Sequence, residues 1–519
     1  MPRTVIRTVA LSCLLSLSWP LFPEAAETER TPPQRRQNIS IQDAVLQSLE
    51  HNLDITISRQ TKESRLTDIV FEQAKFDPTL SLNAQYNRLV SPLNRPVLGF
   101  GTSGQETGQI GAVQQIEKFD QNITQITADM TQNLMTGGNY DINYSPQRTF
   151  VTGQTGFLFN PAYTGGLAFT LTQPLLRNAG VAINKTFIRI AQNNANVEEQ
   201  VFFDRVLQVI ATVEQTYWEL VFANENLKVA QSALRAAEEL LASNRAKAKA
   251  GVMAVVEVLQ AEAGVASRVE QILIAQKAIQ DQEDQLRRLL NPAETELRQD
   301  VQLLPLDQPV QTLEALSPEE AIDVAMERRP EILQAQKNID TSDLNTKFAK
   351  NQLLPSLAAQ GTVGLAGLGG GTNDMLERNF GGEYYNYGGG LVLSYPLGNR
   401  SAWSQFNRRK LEARNAQASL QSVRQQVIVA VKEAVRRVQT DFKRIETTRS
   451  SRILAEKQLQ AEQERFKVGL STTIFVLGFQ RDLAIARGSE LRAIVDYNKS
   501  LSNLSRNKAT TLERYRIGL

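Results

Sequence analysis

The sequence predicts an α + membrane β-barrel fold in which one unit, a helix then strands then a long helical hairpin, occurs twice. Three observations predict it. Two very long stretches, residues 184–290 and 401–516, contain no proline. Short blocks of sequence recur in the same order in both halves. The segments between helix and hairpin alternate apolar and polar residues.

The first long stretch organises the chain. Val209, Val213, Thr216, Leu220, Ala223, Leu227, Ala230, Leu234, Ala237 and Leu241 recur at spacings of 4 and 3 in turn. A mean spacing near 3.5 is a coiled-coil seam. Small residues at every other seam position let a neighbouring helix approach closely. The pattern predicts a helix from about 184 to 249, a turn at Ala250–Gly251–Val252, and a return through Leu290. About 65 residues at ~1.5 Å each make a rod on the order of 100 Å long. The second stretch turns in the same way at Val468–Gly469–Leu470.

From the N-terminus, Arg3 and Arg7 precede an apolar stretch from Val9 to Phe22, and Ala25 and Ala26 follow. That order reads as a signal peptide over 1–26. Cys13, the single cysteine, lies within it. A lipoprotein signal fits it poorly, because Ala10 stands where leucine is expected. The mature chain then offers no thiol chemistry. Beyond the signal no run of about 18 apolar residues remains, so no membrane helix is predicted. Residues 27–39 are polar and carry Pro32 and Pro33, which predicts a flexible lead.

A first repeat is predicted over 40–290 and a second over 317–519, with a proline-bearing linker over 291–316. Ser40 is a candidate N-cap with Asp43 three residues on. Ser40-Ile-Gln-Asp-Ala-Val corresponds to Ser317-Pro-Glu-Glu-Ala-Ile, and Pro78 to Pro355, at one constant offset. Gln173-Pro174-Leu175 corresponds to Tyr395-Pro396-Leu397. Lys249-Ala250-Gly251-Val252 corresponds to Lys467-Val468-Gly469-Leu470. Three blocks in one order indicate duplication.

Strands are expected at about 79–175 and 356–396. Leu80, Leu82, Ala84 and Tyr86 alternate with Ser81, Asn83, Gln85 and Asn87. Leu167, Phe169 and Leu171 alternate with Ala168, Thr170 and Thr172. Such segments are the weak signature of membrane-barrel strands, and a half-buried soluble sheet gives the same alternation. The signal peptide and the prolines at the strand–helix junctions (Pro78, Pro174, Pro355, Pro396) favour the barrel. The first repeat holds an extra hairpin candidate, residues 123–144, around Thr136-Gly137-Gly138-Asn139. The Gly-rich stretch 364–371 lacks the Lys-Ser/Thr of a phosphate loop and reads as an exposed connection.

Composition argues against other chemistry. Lys+Arg 57 nearly balances Asp+Glu 55, so no nucleic-acid footprint is visible. His51 is the only histidine, so neither a histidine metal cluster nor a Ser-His-Asp triad forms within one chain. No enzyme activity, cofactor or metal is expected.

Helix, strands and long hairpin, twice over, resemble the TolC-type outer-membrane efflux protein family. The hairpin tips carry the resemblance: Arg465-Phe466-Lys467-Val468-Gly469-Leu470 with Val476-Leu477, and Lys247-Ala248-Lys249-Ala250-Gly251-Val252 with Val258-Leu259-Gln260-Ala261. The resemblance implies a homotrimer whose strands close one barrel in outer-membrane lipid, continued through the periplasm by an α-helical barrel. It implies a passive exit duct of a tripartite efflux or type I secretion system. The tips Lys249, Gly251, Val252, Lys467, Gly469 and Leu470 would then dock a periplasmic adaptor protein and an inner-membrane transporter. Family members often carry an aspartate six residues after the tip glycine. This chain has Glu257 and Phe475 there, so Glu257 is expected to form an acidic ring and Phe475 an apolar constriction. The alternative is an exported coiled-coil scaffold or adhesin without a pore.

Overall fold

The computed structural model describes residues 35–93, 97–98, 112–113, 117–152, 156–298, 301–312 and 317–517. The signal peptide, Cys13 and most of the connection after Leu93 lie outside these residues.

In chain order, the first repeat opens with strand β1 (Arg35–Ile39), α1 (Ile41–His51) and α2 (Leu53–Gln73). Ser40 caps α1 as a capping box: its Oγ accepts from Asp43 N at 3.1 Å, and the Asp43 carboxylate accepts from Ser40 N. Then come β2 (Thr79–Leu93), β3 (Glu117–Asn133), β4 (Asn139–Tyr144), β5 (Gln147–Thr152) and β6 (Ala162–Pro174). The hairpin helices are α3 (Thr186–Lys249) and α4 (Val255–Leu290). Strand β7 (Val301–Pro305) lies in the linker. The second repeat holds α5 (Pro318–Arg328), α6 (Pro330–Asn351), β8 (Ser356–Gly369), α7 (Thr372–Phe380), β9 (Tyr385–Ser394), α8 (Arg400–Lys467) and α9 (Thr473–Asn507).

Helices α3 and α8 have 64 and 68 residues, which at ~1.5 Å per residue span about 100 Å. A shorter pair lies beside each. Along α3, α2 covers the half nearer the sheet and α4 the half nearer the tip. Lys62 sits 5.0 Å from the Phe202 ring, and Arg245 pairs with Glu262 at 2.7 Å. Beside α8, α6 and α9 divide the length in the same way: Thr346 Oγ1 donates to Arg409 O, and Arg449 pairs with Glu490. The four rows lie side by side in the order α2/α4, α3, α6/α9, α8.

The break between α1 and α2 has a residue-level cause. Asn52 leaves helical geometry, and its Oδ1 accepts from Asp54 N, capping α2. Its Nδ2 donates to Leu289 O at 2.9 Å, while Asn291 Nδ2 returns a bond to His51 O. The ends of α2 and α4 are thereby tied together. In the second repeat Arg329 occupies the matching place, and Pro330 holds it extended.

Two expectations are corrected here. The described part of the flexible lead, Arg35–Ile39, is a strand paired in parallel with β7. Its backbone is satisfied by the linker, and Ile39 is buried in the main core. The linker is therefore partly built into the fold. Together β1 and β7 make a collar on the middle of α3, where Tyr217 is fully buried. Its hydroxyl donates to Asp307 Oδ2 at 2.7 Å, and the same oxygen accepts from Ile41 N. Val206, Val213 and Leu220 of α3 belong to the same core, each burial contributing about 1.5–3 kcal/mol.

Strands β2 to β6, β8 and β9 form one sheet, whose path runs β9-β8-β6-β4-β3-β2. Strand β5 continues the position of β4, pairing with the same neighbours, β3 and β6. The interruption falls at Ser145–Pro146, where Pro146 has no N–H to give the ladder. The sheet thus has six strand positions, and the hairpin of β3 and β4 is inside it.

Candidate functional site

The sheet register settles which residues share a face, because directly opposed residues point the same way. One row across all six positions is Leu80, Met130, Ile142, Phe169, Val363 and Tyr387. The next row on that face is Leu82, Ala128, Tyr144, Leu167, Leu365 and Tyr385. The opposite face carries Thr79, Thr131, Asp141, Thr170, Thr362 and Gly388. Another of its rows is Ser81, Asp129, Asn143, Ala168, Gly364 and Asn386. Polar partners meet there: Thr170 and Thr362 hydroxyls lie 3.2 Å apart.

An apolar row on one face and a polar row on the other make a single-layer wall between two solvents. The apolar side chains are open: Leu80 is 67% exposed, Leu82 73% and Tyr387 80%. Nothing in the described chain covers most of this face. Water is a poor solvent for such a surface and lipid a good one.

One element does lie on the apolar face. Residues 364–369, expected to belong to an exposed connection, are the end of β8, and α7 follows them and folds back over it. Met375 is buried, and a Cβ on Gly367 would lie 2.3 Å from Met375 O. The glycines let a helix backbone lie against the sheet. Asn379, fully buried, is placed to donate to Leu365 O and Gly165 O at 3.2 and 3.1 Å.

At the other end of the rods the two tips share one geometry. Gly251 has φ +76° and Gly469 φ +79°. Val252 N donates to Lys247 O at 3.0 Å, and Leu470 N to Arg465 O at 2.9 Å. This six-to-one closure needs a left-handed residue, which glycine adopts without strain. Lys249, Val252, Lys467 and Leu470 stand exposed around the two turns. The tips touch: Lys247 Nζ sits 4.4 Å from the Phe466 ring centroid.

The structure gives Glu257 a partner that sequence alone did not show. Its Oε2 accepts from Thr473 N at 2.8 Å, at the first residue of α9. Asn244, fully buried on α3, donates to Thr473 Oγ1 at 2.7 Å and to Glu257 O at 3.1 Å. The acidic side chain is thus held against a helix start, where a negative charge is stabilised. Phe475, two residues along α9, is 59% exposed. Asn244 and Thr473 carry no sequence signal of their own, since they lie 229 residues apart.

The expected junction prolines flank the sheet. Pro78 and Pro355 immediately precede β2 and β8, Pro174 ends β6, and Pro396 lies between β9 and α8. The two repeats are stitched there: Leu175 N donates to Leu357 O at 2.7 Å, and Arg177 N to Pro355 O at 3.2 Å. Among the described residues no group of histidine, cysteine, aspartate and glutamate has a metal-binding arrangement.

Known proteins share this architecture. The model of the outer membrane efflux protein family matches residues 112–292 and 321–507. The chain is 23% identical over 310 residues to the outer membrane protein TolC of Vibrio cholerae, covering 59% of this chain and 68% of that protein. It is 26% identical over 309 residues to the pyoverdine export outer membrane protein OpmQ of Pseudomonas putida, covering 55% of this chain and 58% of that one. Among solved structures, the outer-membrane channel OprN superposes with TM-score 0.66 at 16% identity, over 91% of this chain and 90% of that one. The Campylobacter jejuni CmeC outer membrane channel gives 0.64 at 16% identity, over 91% and 85%. A two-faced strand wall set on paired helical rods, with both repeats matched in order, has one reading: the chain belongs to the outer membrane efflux protein family and is a protein of the outer membrane.

Proposed function

We propose that three copies of the chain close into one conduit that serves as the passive exit duct of a tripartite efflux or type I secretion system. The observation that carries this is the placement of the free edges. The sheet ends in β2 on one side and β9 on the other. All six positions alternate in direction, so these two edges run antiparallel and suit each other. The helical layer ends on the same two sides, in α4 below β2 and α8 below β9. Apolar side chains lie open on both: Leu273 and Ile274 on α4, Val429 and Leu454 on α8. Six positions per copy give about eighteen strands in a closed trimeric wall. Unpaired edges of this length would otherwise invite uncontrolled association.

The polar face of the sheet then lines water, and the rods continue that passage through the periplasm. The exposed tips offer an end surface for a periplasmic adaptor and, through it, an inner-membrane transporter. Phe475 supplies the apolar constriction and Glu257 ties the two hairpins of one copy together just above the tips.

Cysteine cross-linking tests the closure. The sequence's single cysteine, Cys13, lies in the segment read as a signal peptide, so introduced pairs report alone. Leu82→Cys on β2 is combined in turn with Tyr387→Cys, Gly389→Cys and Leu391→Cys on β9. The proposal expects a ladder that stops at three copies for at least one register. Only monomer at every register would refute it, as would a ladder running past three.

A further inference from the structure

We propose that the cavity between α4 and α9, just above the tips, is a binding site for small aromatic carboxylates. The site goes beyond the duct reading, because its occupancy is measurable whether or not the chain conducts.

The cavity is about 500 Å³, room enough for a two-ring molecule. Its charged lining is Arg268 from α4 and Arg481 and Asp482 from α9; Gln271, Phe475 and Phe479 complete the part that matters here. Arg268 is the unusual member. Only 6% of it is exposed, yet among the described residues it forms no ion pair with a carboxylate. Its hydrogen bond among the described residues donates from Nη1 to Gln271 Oε1 at 2.9 Å, three residues along the same helix. Burial, and then the like charge of Arg481, push its pKa below the ordinary guanidinium value. Asp482 does not relieve this, since its own contact is with Arg481 at 3.4 Å.

A guanidinium held out of water without a counter-charge is costly, and an anion that reaches it recovers that cost. Arginine presents a planar fork that matches a carboxylate, so a bidentate pair is the expected mode. The remaining wall is aromatic. Phe475, 59% exposed, and Phe479 offer faces on which a flat apolar body rests while its carboxylate meets Arg268. A ring bearing a carboxylate satisfies both halves of the lining. A cation or a neutral ring satisfies only one.

Equilibrium titration of the full chain in detergent with 2-naphthoate tests the assignment, with neutral 2-naphthamide as the comparison. The expected result is saturable naphthoate binding, with naphthamide at least about tenfold weaker. Arg268→Gln should weaken naphthoate by a similar factor and leave naphthamide unchanged. Arg481→Gln, at a more exposed position, gives a second reading if Arg268→Gln does not fold. Phe475→Ala should weaken naphthoate but not acetate. The assignment is overturned if the wild-type chain does not bind naphthoate, which includes the case of a protein side chain already filling the cavity. It is equally overturned if naphthamide binds as well, or if the arginine variants retain wild-type affinity.

Discussion

The Glu257 carboxylate accepts the backbone N–H of Thr473 at 2.8 Å, so a side chain on the first hairpin caps the returning helix of the second. The contact joins residues 216 positions apart in sequence. Asn244 braces it from beneath with bonds to both residues. The two hairpins are thereby fastened at their tips by polar contacts, in a region where the surrounding surface is open and apolar.

Removing that cap should loosen the start of α9. Glu257→Ala is expected to cost about 1 kcal/mol locally, the usual worth of an N-cap. Hydrogen exchange at the first amides of α9 should accelerate about fivefold, with the amides of α8 unchanged. Unaltered exchange would show that the carboxylate is spent elsewhere.

A second fastening lies one step higher. A Cβ on Gly264 of α4 would sit 2.8 Å from Leu477 Cδ2 on α9. Gly264→Val should therefore displace the Leu477 side chain from its place in the packing, at about 1–3 kcal/mol. Leu477→Ala in the same chain should restore much of the loss, and a double-mutant cycle on thermal unfolding reads the coupling. Simple additivity of the two changes would contradict the contact.

Asn52 serves two elements at once, capping α2 and reaching Leu289 O at the end of α4. Asn52→Ala removes the cap and leaves a buried carbonyl without this donor. A loss of about 2 kcal/mol is expected, read as a lowered unfolding midpoint. A change within about 0.5 kcal/mol would show that the tie between α2 and α4 is dispensable.

Two carboxylates should respond to acid in opposite directions. For Glu219, burial pushes the pKa up, but hydrogen bonds from Arg492 and Lys499 outweigh it and hold the group below its ordinary 4.5. Its contribution is present above the unfolded value and is lost as pH falls through the folded one. Glu219→Gln should therefore destabilise at pH 7 and do so less in strong acid. For Asp441, burial and then the Asp496 charge hold the pKa above its ordinary 3.8. The charged form is disfavoured in the fold at neutral pH, so Asp441→Asn should stabilise there, with the gain fading as pH falls through the raised folded value and gone once pH is below the ordinary 3.8. Unfolding midpoints of both variants between pH 3 and 7 check the signs.

Docking at the tips makes a separate prediction. Gly469→Glu places a charged side chain where φ is +79°, in the middle of the proposed contact surface. Retention of a cognate adaptor on the immobilised protein should fall at least about tenfold, with the oligomer intact. Retention at wild-type strength would remove the tip from the interface.

Much of this was legible in the sequence because period carries structure. The coiled-coil seam through Val209, Val213 and Leu220 is buried as its spacing required, and both tip glycines have the left-handed φ that their turns demand. The alternation of Leu80 and Leu82 with Ser81 and Asn83 became two faces once partners were in register. What stayed hidden depends on distant partners. The strand at Arg35–Ile39 is polar by composition and is ordered only because β7 pairs with it. Residues 364–369 read as a connection because glycine is scarce in strands, and the reason for Gly367 and Gly369 is α7 lying on top, while Gly364 faces Asn386 on the other side. The position of Glu257 six residues after the tip glycine suggests an acidic ring, but its engagement with Thr473 and Asn244 has no local signature. Arg268 is one more arginine on a charged helix until α9 is packed against it.

The central claim is a wall shared by three copies, with the β3–β4 hairpin inside it. A single-particle density map of the protein in lipid nanodiscs tests this most directly. It should show threefold symmetry and eighteen strands around one lumen, β2 of each copy beside β9 of the next. A ring of twelve strands with that hairpin folded outside, or a barrel closed by a single copy, would contradict it.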